Sequence, residues 1–167
     1  TWIGLTNPGA NALFLAALTS LLFVAAGILV MMFDAQLLAV MQQPPSVTGM
    51  LYLLGPTPAG IFILLLTAWI KTSLSEEILF RGLIARQLIR KLGFRTGNLL
   101  QSAIFALVHV LLFGLLTKAG LLFLFFIFVF SGTAAWVIGY IKVKRANGSI
   151  IPGWIAHGIG NTVSYAL

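Results

Sequence analysis

Side chains that could act as acids, bases or ligands are few in this sequence, and they are concentrated in its hydrophobic segments. The 167 residues include three acidic residues and two histidines. Four of these five, Glu76, Glu77, His109 and His157, fall within stretches that are otherwise largely apolar. A charged side chain at the centre of a membrane helix costs about 2.5–3.5 kcal/mol, so such residues are rare and usually functional. Carboxylates and imidazoles together predict either acid–base catalysis or an ion pathway.

The first cluster contains two adjacent glutamates and an arginine. On an α-helix Glu77 and Arg81 lie one turn apart on one face, whereas Glu76 and Glu77 cannot point equally at one site. A glutamate four residues before a basic residue is the favourable order for an ion pair, so we expect Glu77 and Arg81 to pair and to support the site structurally. Glu76 has no oppositely charged partner on its own helix and is therefore the better candidate for a general base.

The two histidines occur in different contexts. His109 follows Phe105 by one turn in apolar surroundings, so we expect its hydrogen-bond partner to lie on another helix. His157 and Asn161 are one turn apart, which places two donors on one helix face. Gly153 and Gly160 lie near that face and would let a substrate or another backbone approach closely, although helix packing uses glycine in the same way.

The composition is that of an integral membrane protein. Hydrophobic residues make up 60% of the chain and charged residues only 8%, with a mean hydropathy of +1.07. A soluble domain carries about 25% charged residues. The net charge of +7 is explained by basic loops that contact anionic lipid headgroups, so we predict membrane lipids and no nucleic acid as partners. The absence of cysteine excludes disulfides, thiolate metal sites and a thiol nucleophile.

The apolar stretches predict an all-α fold, a polytopic transmembrane bundle of about five helices. The predicted helices cover about residues 11–33, 59–91, 97–116, 119–141 and 149–167. The first ends before Asp34, and the second is longer than one bilayer crossing requires.

The charges in the loops predict one orientation. Basic residues cluster in the loops 86–95 and 142–145, whereas the alternate loops contain only Lys118. By the positive-inside rule both basic loops face the cytoplasm. The N-terminus of this chain is then expected on the same side.

Three motifs occur in order on three hydrophobic segments: Glu-Glu-x-x-x-Arg at 76–81, Phe-x-x-x-His at 105–109 and His-x-x-x-Asn at 157–161. This arrangement resembles the CAAX prenyl protease and bacteriocin-processing family, also called the type II CAAX endopeptidase or ABI family. The resemblance extends from about Leu74 to Asn161. We therefore divide the chain into N-terminal transmembrane helices, 1–70, and a motif-bearing core, 71–167, within one membrane domain. Family members often carry additional N-terminal helices, which leaves open that this chain is N-terminally incomplete.

The resemblance implies an intramembrane, glutamate-dependent endopeptidase whose catalytic groups enclose a cavity. Glu76 would activate water with the help of His109, and His157 with Asn161 would stabilise the oxyanion. The second glutamate and the arginine of the first motif, together with Phe105, would support the site. Amide hydrolysis needs such a base and such donors independently of the family.

The resemblance also indicates the substrate and the location. The short loops are similar to those of bacterial members, which implies a hydrophobic or lipid-anchored peptide substrate and a bacterial inner membrane. The identity of any stable protein partner stays open. We predict no cofactor and no metal, because the zinc-protease spacing His-Glu-x-x-His is absent. If a metal is used, its ligands would be Glu76, His109 and His157.

Two other functions compete with the protease. One is a catalytically silent family member that acts as a membrane scaffold or a bacteriocin-immunity protein. The weaker alternative is a transporter or proton-relay subunit, which would predict inverted repeats that the sequence does not display. A serine protease is disfavoured because no serine lies in a Gly-x-Ser-x-Gly motif.

Overall fold

The computed structural model describes residues 3–33, 35–44 and 46–167, and these residues form helices joined by short connections. Asp34, before which we expected the first helix to end, lies outside them. The helical elements in chain order are α1 (Ala10–Phe33), α2 (Ala35–Met41), α3 (Val47–Leu54), α4 (Pro58–Leu66), the π-helical segments π1 (Thr67–Leu74) and π2 (Glu77–Ala85), α5 (Arg86–Leu116), α6 (Leu121–Lys144) and α7 (Ile151–Ala166).

The described residues confirm the all-α membrane bundle. Three helical stretches are long and apolar enough to cross a bilayer, namely Ala10–Met32, Pro58–Leu116 and Leu121–Lys144. Large apolar side chains cover the outside of the bundle, and Leu121, for example, is 86% exposed. Because lipid rather than water is the solvent there, this exposure is favourable. With 16 residues, α7 is shorter than the approximately 20 residues that a membrane-crossing helix needs.

The long middle stretch reverses direction at one glycine. Gly93 has φ 78° and ψ 168°, a conformation that only glycine adopts readily, and helix continues on both sides of it. The two arms then come so close that a Cβ atom at Gly97 would lie 2.5 Å from the Ile89 backbone nitrogen. The reversal falls between the second and third predicted helices, so this boundary was predicted correctly.

The glutamates lie in an unusual backbone conformation. Segments π1 and π2 form hydrogen bonds from residue i to i+5, and Glu76 lies between them. A π-helix is rare and usually marks a functional site. We expected ordinary α-helix here, with successive side chains about 100° apart, and the expectation that Glu76 and Glu77 cannot point equally at one site rests on that spacing.

Short helices replace part of the expected break between the first two membrane helices. The hydroxyl of Ser46 caps α3 by accepting a hydrogen bond from the Gly49 backbone N–H at 2.9 Å. Helix α3 then packs against α7. We expected the polar run that includes Ser46 only to end a helix. In the structure it also begins one, because Ser46 caps α3.

A buried polar cluster joins α5 to α6. Asn98 and Gln101 are fully buried and donate to the backbone carbonyls of Trp136 at 3.0 Å and Ala135 at 3.1 Å. Gly139 on α6 makes room for the Asn98 side chain, because a Cβ at Gly139 would collide with it. In an apolar environment these interhelical bonds hold the two helices in one register.

Both basic loops lie at one end of the bundle. Lys144, in the last turn of α6, places its Nζ atom 4.9 Å from the centre of the Phe94 ring, just after the Gly93 reversal. The N-terminal segment reaches the same end, since the Ile150 backbone N–H donates to the Gly4 carbonyl at 2.9 Å. The side of the membrane that this end faces stays a prediction, as does the division of the chain at residue 70.

Candidate active site

The His157 imidazole on α7 lies between the two glutamate side chains. Its Nε2 atom is 3.6 Å from Glu76 Oε2, and its Nδ1 atom is 3.8 Å from Glu77 Oε1. Glu76 and Glu77 therefore both reach the same histidine, on opposite edges of its ring, which we did not expect from an α-helical spacing. The two carboxylates differ in environment, because Glu76 is 23% exposed and Glu77 is fully buried.

The expected ion pair of the first motif is present. Arg81 Nη1 lies 3.3 Å from Glu77 Oε1, and both side chains are buried. The Arg81 guanidinium also lies over the Phe105 ring, 4.4 Å from its centre, which is a favourable cation–π geometry. Gly153 on α7 provides the space for Glu77, since a Cβ there would collide with the carboxylate. The pair is thus enclosed by neighbouring helices.

His109 has a partner on its own helix, which corrects our expectation of an interhelical bond. Its Nδ1–H donates to the Phe105 carbonyl at 2.9 Å. The rings of the two residues are also in contact, with centres 4.3 Å apart. With the proton held on Nδ1, a neutral His109 has its lone pair on Nε2, so this bond selects the tautomer that can accept a proton at Nε2.

Asn161 bonds to a serine that the sequence analysis did not single out. Its Nδ2 atom donates to Ser73 Oγ at 3.1 Å, and the Ser73 hydroxyl in turn donates to the Ala68 carbonyl at 2.5 Å. Ser73 is fully buried, one turn before Glu77. One N–H of the Asn161 amide is used in this bond, and the second is left for another acceptor.

Three aromatic or hydroxyl side chains hold π1 against α7. The Trp154 indole N–H donates to the Trp69 carbonyl at 2.7 Å, and the Trp69 indole N–H donates to Thr162 Oγ1 at 3.0 Å. The Trp69 ring fills the space left by Gly158, where a Cβ would lie 2.6 Å from a ring carbon. These contacts fix the segment that carries Glu76 on the helix that carries the third motif.

Tyr165 is a further polar residue that the sequence analysis missed. Its hydroxyl donates to Thr72 Oγ1 at 3.3 Å. Tyr165 follows Asn161 by one turn, and Thr72 precedes Glu76 by four residues. Tyr165 and Thr72 could have been selected from the sequence, because each lies one helical turn from a motif residue.

A cavity of about 370 Å³ brings the predicted catalytic residues together. Glu76, His109, His157 and Asn161 all line it, although they come from three separate segments. The rest of the wall is mostly apolar and comes largely from α1, α5, α6 and α7, with Phe23, Phe126 and Phe130 among its side chains. Glu77 and Arg81 lie behind this wall. The arrangement combines a carboxylate, two imidazoles and an amide at the polar part of an apolar cavity.

The alternative metal ligands do not form a metal site. Among the described residues, no group of three His, Cys, Asp or Glu side chains is placed so that it could hold a metal ion. Glu76, His109 and His157 line the same cavity but do not converge as ligands. The placement of these three side chains therefore does not fit a metal ion.

Comparison with known proteins identifies the family. The family model described as type II CAAX prenyl endopeptidase Rce1-like matches residues 58–163, well over half of the chain. No curated protein and no solved structure gives a significant match. The match includes all three motifs and the four cavity-lining residues that we selected from them. The chain therefore belongs to the type II CAAX prenyl endopeptidase Rce1-like family, a family of membrane proteases.

Proposed function

We propose that this protein is an intramembrane endopeptidase that hydrolyses a peptide bond in a hydrophobic or membrane-anchored peptide. The observation that carries the proposal is the convergence of Glu76, His109, His157 and Asn161 on one apolar cavity. A peptide substrate and a membrane environment follow from the family. Glutamate dependence and the role of each residue go beyond what the family match gives.

In the proposed mechanism Glu76 is the general base. Its carboxylate is partly exposed to the cavity and removes a proton from a water molecule, while the Nε2 lone pair of His109 holds that water. The resulting hydroxide attacks the carbonyl carbon of the scissile peptide bond. Glu76 then gives the proton to the leaving amine, so that the carboxylate is regenerated.

The negative charge that develops on the substrate oxygen needs donors. Asn161 supplies the N–H that its bond to Ser73 leaves free. His157 supplies the second donor from the same helix face. Its ring lies between the two carboxylates, 3.6 Å from Glu76 Oε2 and 3.8 Å from Glu77 Oε1. Donors that are already oriented in a dry cavity stabilise such a charge far better than water does.

The test is cleavage of a library of hydrophobic membrane peptides by purified protein in proteoliposomes, with and without a chelator. Wild type is compared with Glu76→Gln, which keeps the shape of the side chain, and with His109→Ala. Ser131→Ala is the matched control, because Ser131 also lines the cavity but bonds only to a carbonyl of its own helix. We expect chelator-resistant cleavage by wild type and the control, and loss of cleavage in the other two variants.

Other outcomes would contradict parts of the proposal. Unchanged cleavage by Glu76→Gln would show that Glu76 is not the general base. Inhibition by the chelator would restore a metal mechanism. If folded wild type cleaves no peptide while binding some of them, the scaffold or immunity function replaces the protease.

A further inference from the structure

A second cavity, of about 230 Å³, lies at the end of the bundle that carries the basic loops. It is lined by the N-terminal segment, by π2, by the first residue of α5, by the end of α6 and by the turn that follows α6. None of its lining residues lines the active-site cavity. It is therefore a separate site, and the proposed protease mechanism does not use it.

The charge of this cavity is positive. Arg86 and Lys142 both line it, and none of the described lining residues is acidic. Lys142 is within electrostatic reach of Arg86, Arg81 and Glu77. The single negative charge in that group, on Glu77, already pairs with Arg81. Within the described part of the chain, no carboxylate lies within 4 Å of the Lys142 ammonium, so the described acidic side chains do not neutralise the Lys142 charge.

A polar group without a partner lies in the same wall. The Thr6 hydroxyl oxygen is buried and has no hydrogen-bond partner among the described residues. A buried hydroxyl normally forms a hydrogen bond, and leaving it without one costs about 1–3 kcal/mol. An anion with several acceptor oxygens could accept hydrogen bonds from the Thr6 hydroxyl, the Lys142 ammonium and the Arg86 guanidinium at once.

The position of the cavity points to the origin of the anion. Arg86 begins the basic stretch 86–95, which contains the Gly93 reversal, and Lys142 lies in the last turn of α6, so both lie near the end of the bundle that carries the basic loops. That is the depth of lipid headgroups, and basic pockets between transmembrane helices bind phosphorylated headgroups.

We propose that this cavity binds a phosphate group, through Lys142, Arg86 and the Thr6 hydroxyl. The group is supplied either by the headgroup of an anionic membrane lipid or by free phosphate. The site holds one phosphate at a fixed position, in contrast to the diffuse attraction that the exposed basic loops exert on any anionic surface. The proposal depends on the fold alone and is independent of the proposed protease activity.

The test measures ligand binding to the purified full chain in detergent by native mass spectrometry and by the shift in thermal unfolding. The probes are short-chain phosphatidylglycerol, the matching diacylglycerol without phosphate, and inorganic phosphate. Lys142→Gln is compared with Lys144→Gln, an exposed lysine in the same helical turn that contacts Phe94 and does not line the cavity. Thr6→Val serves as a second variant that leaves all charges in place.

We expect wild type and Lys144→Gln to bind phosphatidylglycerol equally, Lys142→Gln to bind it at least about tenfold more weakly, and Thr6→Val to show a several-fold loss. Diacylglycerol should not bind. Competition by inorganic phosphate would identify free phosphate as a sufficient ligand, whereas binding of the lipid alone would identify the headgroup. Equal loss in both lysine variants, or undiminished binding by both Lys142→Gln and Thr6→Val, would overturn the proposal.

Discussion

Phe105 is the side chain around which the catalytic motifs are assembled. Its ring lies under the Arg81 guanidinium and against the rings of Phe80, His109 and His157, with centres 4.8, 4.3 and 5.9 Å away respectively. Its carbonyl also fixes the His109 tautomer. One buried residue thus contacts a member of each of the three motifs. This explains why an apolar residue belongs to motifs whose other members are charged or polar.

Asn161 is expected to act on the transition state rather than on substrate binding. Asn161→Ala should lower kcat by about 10²–10³ with little change in KM, because an oxyanion donor acts mainly when charge develops. Ser73→Ala should cost less, since it removes the bond that orients Asn161 but leaves the amide in place. Steady-state kinetics with a fluorogenic membrane peptide measure both constants. A large rise in KM with unchanged kcat would assign Asn161 to substrate binding instead.

The Glu77–Arg81 pair is expected to matter for stability. Glu77→Gln or Arg81→Met should each lower the free energy of unfolding by about 3–5 kcal/mol, because each leaves one buried charge without its partner. The double variant should be less destabilised than the sum of the two. Unfolding in mixed detergent micelles measures these values as a double-mutant cycle. Additive effects would show that the two charges are not coupled.

At the scale of elements, two glycines of α7 offer a matched comparison. A Cβ at Gly153 would collide with the Glu77 carboxylate and lie 2.7 Å from Ile138, whereas a Cβ at Gly160 has only Ser20 Oγ nearby, at 3.9 Å. Gly153→Ala should therefore destabilise the protein by about 1–3 kcal/mol and reduce cleavage. Gly160→Ala should be neutral or slightly stabilising, because alanine favours helix.

The measurement is thermal unfolding of both variants beside cleavage of one peptide. The same chemical change on the same helix separates the effect of the contact from the effect of helix propensity. A Gly153→Ala variant as stable as wild type would mean that α7 and π2 can move apart at this position without a loss of stability.

The helices could be predicted from the sequence because each depends on a local run of apolar residues. The Glu77–Arg81 pair could be predicted for the same reason, since both residues lie within one turn. The contact of His157 with Glu76 could not, because it joins segments about 80 residues apart and depends on how α7 packs against the π-helical segments. The π-helical backbone was also unpredictable, because its apolar spacing is hard to distinguish from that of an α-helix over a few turns.

At the scale of the whole molecule, the basic end of the bundle is expected to face the cytoplasm. The chain contains no cysteine, so single substitutions give an unambiguous label. Arg95→Cys and Lys118→Cys replace exposed residues in loops of opposite predicted location. In intact cells a membrane-impermeant maleimide should label Lys118→Cys, and it should label Arg95→Cys only after the cells are opened. The reverse pattern would invert the topology.

The ion pair within the first motif also bears on how the chain is made. Glu77 and Arg81 are one turn apart in a single helical stretch, so they can meet before any other helix has arrived. The insertion machinery would then receive two opposite charges as one neutral unit, rather than two charges that each cost about 2.5–3.5 kcal/mol at the bilayer centre. The ion pair is thus expected to raise the yield of inserted protein during biosynthesis, before the cavity has formed.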